Sequence, residues 1–422
     1  MSPLETRALW APWGLSVGRT VRPTSPAQVA EALAHCLERK ESVLPVGAGL
    51  SLASGGAPGP CDVALLLDGL SGVIDYSPGD MTITVLAGTP LDTIRQTLAP
   101  HGQRLPGMPR DQGTIGGLVA TGWTSAEARE AQGAVRERLL GVQVADARGY
   151  LTRSGGRVVK NVTGYDLHRM HVGACGAFGV LTELTFRLEP KPEFRAEVTL
   201  EAPTWEAARD AWRWLRWDGP ETSFLGLRRV ARGLEFVALL EGDEEPARRG
   251  TETLTKQWNH LGFIQSRELD GGPPKEGLAP EPKAGAVRLA AALRAAPSRA
   301  LALFERVTSD PALVPLSVDS ACYLQAGEIC LILEGSATDL IDRVGALAES
   351  ARDGGPAYRI QEERPSFLPP ELPRWSADPG AFRLLARIKQ ALDPQGILRP
   401  GSYSAEALAR AALYFSTGAG SQ

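Results

Sequence analysis

The sequence predicts a mixed α/β protein of the α+β class with two principal domains, on three observations. The 422 residues exceed what one hydrophobic core usually serves. Up to about Pro190, strand-like runs alternate with capped amphipathic helices, and glycine-rich loops follow the strands, where α/β folds hold ligands. Beyond Pro190 the order becomes strand, helix, strand, strand, helix, which predicts a ferredoxin-like α+β domain.

The elements follow in order. After a lead of residues 1–14, "TSPAQVAEALAHCLERK" reads as a helix: Ser25 caps it, Pro26 suits its first turn, Gln28 has capping-box spacing, and Val29, Leu33, Cys36 and Leu37 share one face. "SVLPV", "VALLLD" and "MTITVLAG" read as strands, "GAGLSLASGGAPG" as a loop, and "TPLDTIRQTLAP" as a second cap-proline helix. "LDGGPPKEGLAPEPKAG" reads as an exposed linker, followed by a helix, a strand pair in "ACYLQAGEICLILEG", and a helix around "LIDRVGALAESARD". The expected boundaries are 15–191, 192–375 and a C-terminal piece, 376–422, that holds "FRLLARIKQALDPQGILRPGSY".

Composition narrows the function classes. A hydrophobic content of 43 % with 22 % charged residues is that of an ordinary globular protein. A net charge of −4 gives no electrostatic case for nucleic acid or anionic membranes. No apolar run is long enough for a transmembrane segment, and "MSPLETRALWAPWG" does not read as a signal peptide, so the cytoplasm is the expected location. Cys36, Cys61, Cys175, Cys322 and Cys330 are scattered without C-x-x-C spacing, which argues against zinc or an iron–sulfur cluster in this chain.

Three glycine-bearing stretches precede Pro190: "PVGAGLSLASGG", "GTIGGLVATG" and "GGRVVKNVTGYDLHRMHVGACGAFGVLTEL". The first has Leu52 where a dinucleotide fingerprint needs its third glycine, so alone it could equally be a sharp strand-to-loop turn. Together they suit a pyrophosphate, which needs main-chain N–H groups that approach without an intervening Cβ. Gly47, Gly49, Ser51, Thr114, Gly116 and Gly117 are the candidate donors.

The order of "RPTSPAQVAEAL", "LPVGAGLSL", "DMTITVLAGTPLDTIRQTLAPHGQRLP", "GTIGGLVAT", "LLGVQVADARG", "RVVKNVTGYDLHRMHVGACGAFGVLTELTFRLEP" and "LDPQGILRPGSY" resembles the vanillyl-alcohol-oxidase/PCMH family of flavoproteins, and within it the FAD-binding subunits of glycolate oxidases. The resemblance implies a PCMH-type FAD domain of two α/β subdomains, a cap domain and a C-terminal segment returning to the FAD domain. It implies that Val46, Gly47, Ala48, Gly49, Leu50, Ser51 and Leu52 wrap the pyrophosphate and that Thr114, Ile115, Gly116 and Gly117 form a second phosphate-side loop. Thr121 and Gly122 would lie along the cofactor, and Gly179, Val180 and Leu181 would touch it through main-chain atoms. No histidine or cysteine stands at a covalent-flavin position, so noncovalent FAD is expected. Arg399 departs from the pattern, standing where many relatives have asparagine before Pro-Gly.

Three readings remain beside these. His168 and His171 have a spacing that could serve a metal, but no third ligand accompanies them, so packing or surface roles are favoured and no metal is expected. Lys160 could stabilise an anionic reduced flavin or pair with a carboxylate; the motif match favours the former. No catalytic base or carboxylate-binding residue is legible. The resemblance thus implies oxidation of a small 2-hydroxy acid, glycolate or D-lactate, in a complex with a sister flavin subunit and an iron–sulfur subunit. A self-sufficient dehydrogenase of hydroxy or sugar acids and a FAD-holding structural subunit are the alternatives.

Overall fold

A computed structural model describes residues 13–56, 59–108, 113–122, 134–156, 165–230, 233–261, 264–270, 286–311, 313–314, 316–352, 355–362, 368, 374–401 and 403–416. The first strands and helices are β1 (Val17–Val21), α1 (Pro26–Arg39), β2 (Val43–Val46), β3 (Cys61–Leu66), β4 (Val73–Ser77), β5 (Thr82–Leu86), α2 (Leu91–Leu98), β6 (Gln103–Arg104), α3 (Ile115–Thr121), α4 (Val135–Arg138), β7 (Leu139–Ala145), β8 (Leu151–Gly155), β9 (Val180–Arg187) and β10 (Glu189–Pro190). They form a parallel sheet ordered β1-β3-β2, an antiparallel sheet ordered β4-β5-β9-β7-β8, and a short β6–β10 pair.

The parallel sheet shows why "VALLLD" is apolar throughout. Val63 and Leu65 face one core and Ala64 and Leu66 another, as expected for a strand covered on both faces. The first of these cores runs on through Val29 and Leu33 of α1 to Ile83, Val85, Leu184 and Phe186, so one apolar layer joins the two sheets. α1 starts as its sequence predicts: Ser25 Oγ accepts from the Gln28 N–H, and Gln28 Oε1 accepts from the Thr24 N–H. α2 does not. Pro90 occupies its cap position and has no side-chain acceptor to offer, while the Thr89 hydroxyl before it is engaged with the Leu86 and Gly72 carbonyls and accepts the Gly72 N–H.

Beyond Pro190 come β11 (Phe194–Ala202), α5 (Trp205–Trp217), β12 (Phe224–Val230), β13 (Gly233–Gly242), α6 (Glu244–His260), β14 (Ile264–Asp270), β15 (Val287–Arg294), α7 (Pro297–Thr308), β16 (Ser317–Tyr323), β17 (Glu328–Gly335), α8 (Ala337–Arg352) and β18 (Ala357–Glu362). They build one eight-stranded sheet ordered β14-β11-β13-β12-β16-β17-β15-β18, antiparallel throughout. The ferredoxin-like order is thus present twice. β11 to β14 and β15 to β18 each follow strand-helix-strand-strand-helix-strand, and the two halves meet where Leu227 of β12 pairs with Cys322 of β16. Helices from both halves cover one face: Ala208 and Ala211, Leu254 and Trp258, Phe304, and Leu340 and Val344 pack on Val198, Leu200, Phe236, Leu289 and Leu331. Of the tryptophans in α5, Trp205 meets Phe304 edge-on at 5.9 Å, Trp212 and Trp214 are half-buried, and Trp217 is exposed.

The last described helices are α9 (Pro379–Leu392) and α10 (Ala405–Ser416), and between them Val43 of β2 bridges Leu398 in parallel.

Candidate functional site

A cavity of about 410 Å³ opens where the loop after β2 faces α3 and the start of β9. Its walls include Gly47 to Leu52, Gly113, Thr114, Gly116, Gly117, Leu118, Ala120, Thr121, Cys175, Gly176, Val180, Leu181 and Arg399. Three segments distant in sequence meet there because β2, β5 and β9 share one apolar core.

The two glycine loops are locked together. Thr114 is the cap residue of α3, its Oγ1 accepting the Gly117 N–H at 3.2 Å, and that same oxygen occupies the space a Cβ at Gly47 would need. Gly49 adopts φ 72°, a left-handed conformation that favours glycine, and its carbonyl accepts the indole N–H of Trp13.

Their main-chain donors differ. Among the described residues, the N–H groups of Gly47, Ala48, Leu50, Ser51 and Leu52 donate to no protein acceptor. In contrast, the Ile115 N–H donates to Thr89 O, Gly116 to Ala87 O at 2.7 Å, Gly117 to the Thr114 hydroxyl, and Leu118 to Thr114 O. The expectation that Gly116 and Gly117 present donors to a phosphate is therefore corrected, because both are spent within the fold. Gly116 is glycine for a packing reason: a Cβ there would lie 2.7 Å from Ala87 O and 2.8 Å from Ala87 Cβ.

Of the residues the sequence singles out, Gly47, Ala48, Gly49, Leu50, Ser51, Leu52, Thr114, Gly116, Gly117, Thr121, Val180 and Leu181 line the cavity. Val46, Ile115, Gly122 and Gly179 do not. Val46 and Ile115 turn fully into the core. Gly122 ends α3 at φ 60°, and a Cβ there would crowd Gly173 at 3.1 Å. Gly179, expected to touch a cofactor through main-chain atoms, also has a packing reason to be glycine, because a Cβ there would run into Val144 Cγ1 and lie 3.1 Å from Ala145 O of β7. Lys160, with Asn161 and Gly164, lies outside the described residues.

Arg399 and Cys175 are two of the wall residues whose place the sequence did not reveal. Arg399 is 3 % exposed and non-glycine at φ 48°, and its Nη2 donates to Leu52 O at 2.7 Å and Ser54 O at 2.5 Å. Its position as a departure in the Pro-Gly motif was the signal available. Cys175, also left-handed at φ 52°, has its thiol pushed up by burial, partly offset by the charges of Arg399 and Arg359. Tyr403 stacks on Trp375 at 5.2 Å, donates to Gly173 O at 3.0 Å, and has its phenol pushed up by burial. Arg359, from β18, donates to Thr121 O at 2.7 Å and so ties the large sheet to the cavity wall.

His168 is buried with Nδ1 unpartnered, and burial lowers its pKa. Burial pushes His171 down to about 4. Among the described residues, no group of three or more His, Cys, Asp or Glu could hold a metal.

Residues 18–155, which supply the loop, α3 and the first part of the antiparallel sheet, match the model of the FAD binding domain family. The chain carries a PCMH-type FAD-binding domain. FAD is its cofactor, and the cavity offers what FAD requires: unspent N–H groups on a glycine loop, apolar walls, and a buried guanidinium whose Nε has no partner. The chain is 36 % identical over 187 residues to the glycolate oxidase subunit GlcE of Escherichia coli (strain K12), covering 39 % of this chain and 53 % of that protein. It is 31 % identical over 176 residues to the glycolate oxidase subunit GlcD of Bacillus subtilis (strain 168), covering 41 % and 37 %. The matches thus span about half or less of these relatives' length. A solved alkyldihydroxyacetonephosphate synthase superposes with a TM-score of 0.67 at 12 % identity, over 90 % of this chain and 75 % of that one, so the fold is shared beyond the FAD-binding domain.

Proposed function

We propose that this chain is the FAD-binding subunit of a complex that oxidises glycolate, or a similar small 2-hydroxy acid such as D-lactate, to the 2-oxo acid and passes the electrons to partner subunits. The observation that supports this reading most is the 36 % identity to GlcE. In this reading residues 15–191 form the FAD domain, 192–375 the cap, and 376–422 return to the FAD domain.

Bound FAD would supply the two-electron acceptor for the hydroxy acid. Gly47, Ala48, Leu50, Ser51 and Leu52 would hold its pyrophosphate noncovalently through main-chain N–H groups that donate to no protein acceptor among the described residues. Leu50, Leu52, Leu118, Ala120, Val180 and Leu181 would exclude water along the cofactor. Arg359 and Tyr403 would brace the wall from the cap and the C-terminal return. A sister flavin subunit would take part in oxidising the hydroxy acid, and an iron–sulfur subunit would accept the electrons. No helix among the described residues is long and apolar enough to cross a membrane.

The test is anaerobic reduction of the purified yellow chain. Bleaching by glycolate or D-lactate only after the partner subunits are added supports the complex. Bleaching of the chain alone supports a self-sufficient dehydrogenase. A flavin-free variant that leaves the assembled complex fully active supports a structural subunit.

A further inference from the structure

We propose that Arg399 is a cofactor-positioning residue whose buried guanidinium is the counter-charge for the anionic portion of bound FAD. The proposal rests on the reading of the cavity as the FAD site. Arg399 lines that cavity and is 3 % exposed, yet it forms no ion pair with any carboxylate among the described residues. Two other deeply buried cations are compensated: Lys389 by Asp393 at 2.6 Å and Arg288 by Glu334 at 2.5 Å. Arg399 instead adds to the positive field around Lys389.

Its hydrogen bonds show which way it is committed. Nη2 gathers the carbonyls of Leu52, Ser54 and Gly56, at 2.7, 2.5 and 3.4 Å, while Nε is buried without a partner. Carbonyl dipoles orient a guanidinium but do not neutralise it, so a buried charge of this kind is costly until an anion joins it. The carbonyl clamp holds the far end of the loop in which the N–H groups of Gly47, Ala48, Leu50, Ser51 and Leu52 donate to no protein acceptor among the described residues, so donors and cation belong to one wall. The left-handed backbone at Arg399 is a strained conformation for a branched-off long side chain, and the Arg399 N–H bond to Val43 O at 2.7 Å holds it there.

FAD has two anionic portions, the pyrophosphate and the reduced ring, and one experiment separates them. Flavin is removed from wild type, Arg399→Gln and Arg399→Lys. FAD and ADP binding are then titrated at two salt concentrations, melting is followed with and without FAD, and the midpoint potential of the bound flavin is measured. The expected result is FAD affinity weakened about tenfold or more in R399Q, the loss of a charge-assisted hydrogen bond, and largely restored in R399K. A parallel loss for ADP with a shallower salt dependence identifies the pyrophosphate. Unchanged ADP binding with a more negative potential identifies the reduced ring. R399Q that binds FAD and ADP like wild type, with unchanged potential and equal loss of melting temperature in both forms, overturns the proposal and leaves only a loop tie. If R399Q does not fold, the wild-type salt dependence decides: FAD and ADP affinities and a flavin midpoint potential that salt leaves unchanged overturn the proposal. A wild type that binds no FAD overturns the site reading as a whole.

Discussion

Lys389 Nζ donates to Asp393 Oδ2 at 2.6 Å, one turn further along α9, with both side chains 2 % exposed or less. The same ammonium donates to Ala177 O at 2.9 Å and Leu398 O at 2.8 Å, and Asp393 accepts the N–H groups of Ile397 and Leu398. This pair therefore fastens the C-terminal return to the turn before β9 and sets Leu398 beside Val43 and Arg399 into the cavity wall. Lys389→Met leaves the Asp393 carboxylate buried without its cation. Its expected cost is about 3–5 kcal/mol, read by urea unfolding, whereas Lys389→Met with Asp393→Asn recovers part of that loss.

At Gly116 the side chain is excluded by packing within the fold. A Cβ there meets Ala87 before it meets the cavity, so Gly116→Ala should lower apo-protein stability by about 1–3 kcal/mol, as overpacking does. Equal apo stability with reduced FAD binding would contradict the packing role.

Thr114 carries the cap of α3 and fills the notch at Gly47. Thr114→Ala should cost about 1 kcal/mol, and Thr114→Ser much less, in chemical denaturation. Thr114→Val should behave like alanine, because the oxygen and not the volume makes the bond.

Acid should destabilise the protein through His171. Its folded pKa is depressed by burial to about 4 from 6.5. Between these values the unfolded chain binds more protons than the folded one, so stability is complete above about pH 6.5 and falls as pH drops toward 4, by up to about 3 kcal/mol. His171→Gln should flatten the stability profile in that window.

Much of the fold was legible because its signals are local. The Ser25 cap with Gln28 and the apolar run of β3 each follow from a few neighbouring residues. The doubling of the ferredoxin-like unit was not, because β14, "IQSRELD", is polar and runs into the glycine-proline linker, and because the join between Leu227 and Cys322 is a pairing across nearly a hundred residues. In the site, the motif order located the loop from Gly47 to Leu52. It could not tell a glycine kept for a ligand from one kept for packing. Gly47, Gly116 and Gly179 look the same in sequence, and only their neighbours in the fold, Thr114, Ala87 and Val144, show that each has a packing reason to lack a side chain. Arg399 was visible as a departure, but the carbonyls of Leu52 and Ser54 that receive it lie some 350 positions away.

Leu50 is 42 % exposed and lines the cavity, so a charge placed there should disturb the ligand without disturbing the fold. The most direct test of the central claim is therefore an equilibrium titration of FAD into deflavinated wild type and Leu50→Glu, followed by flavin fluorescence. The account predicts one FAD per chain in wild type and at least about tenfold weaker binding in Leu50→Glu with an unchanged apo melting temperature. Equal affinity in the two proteins would contradict the placement of FAD in this cavity.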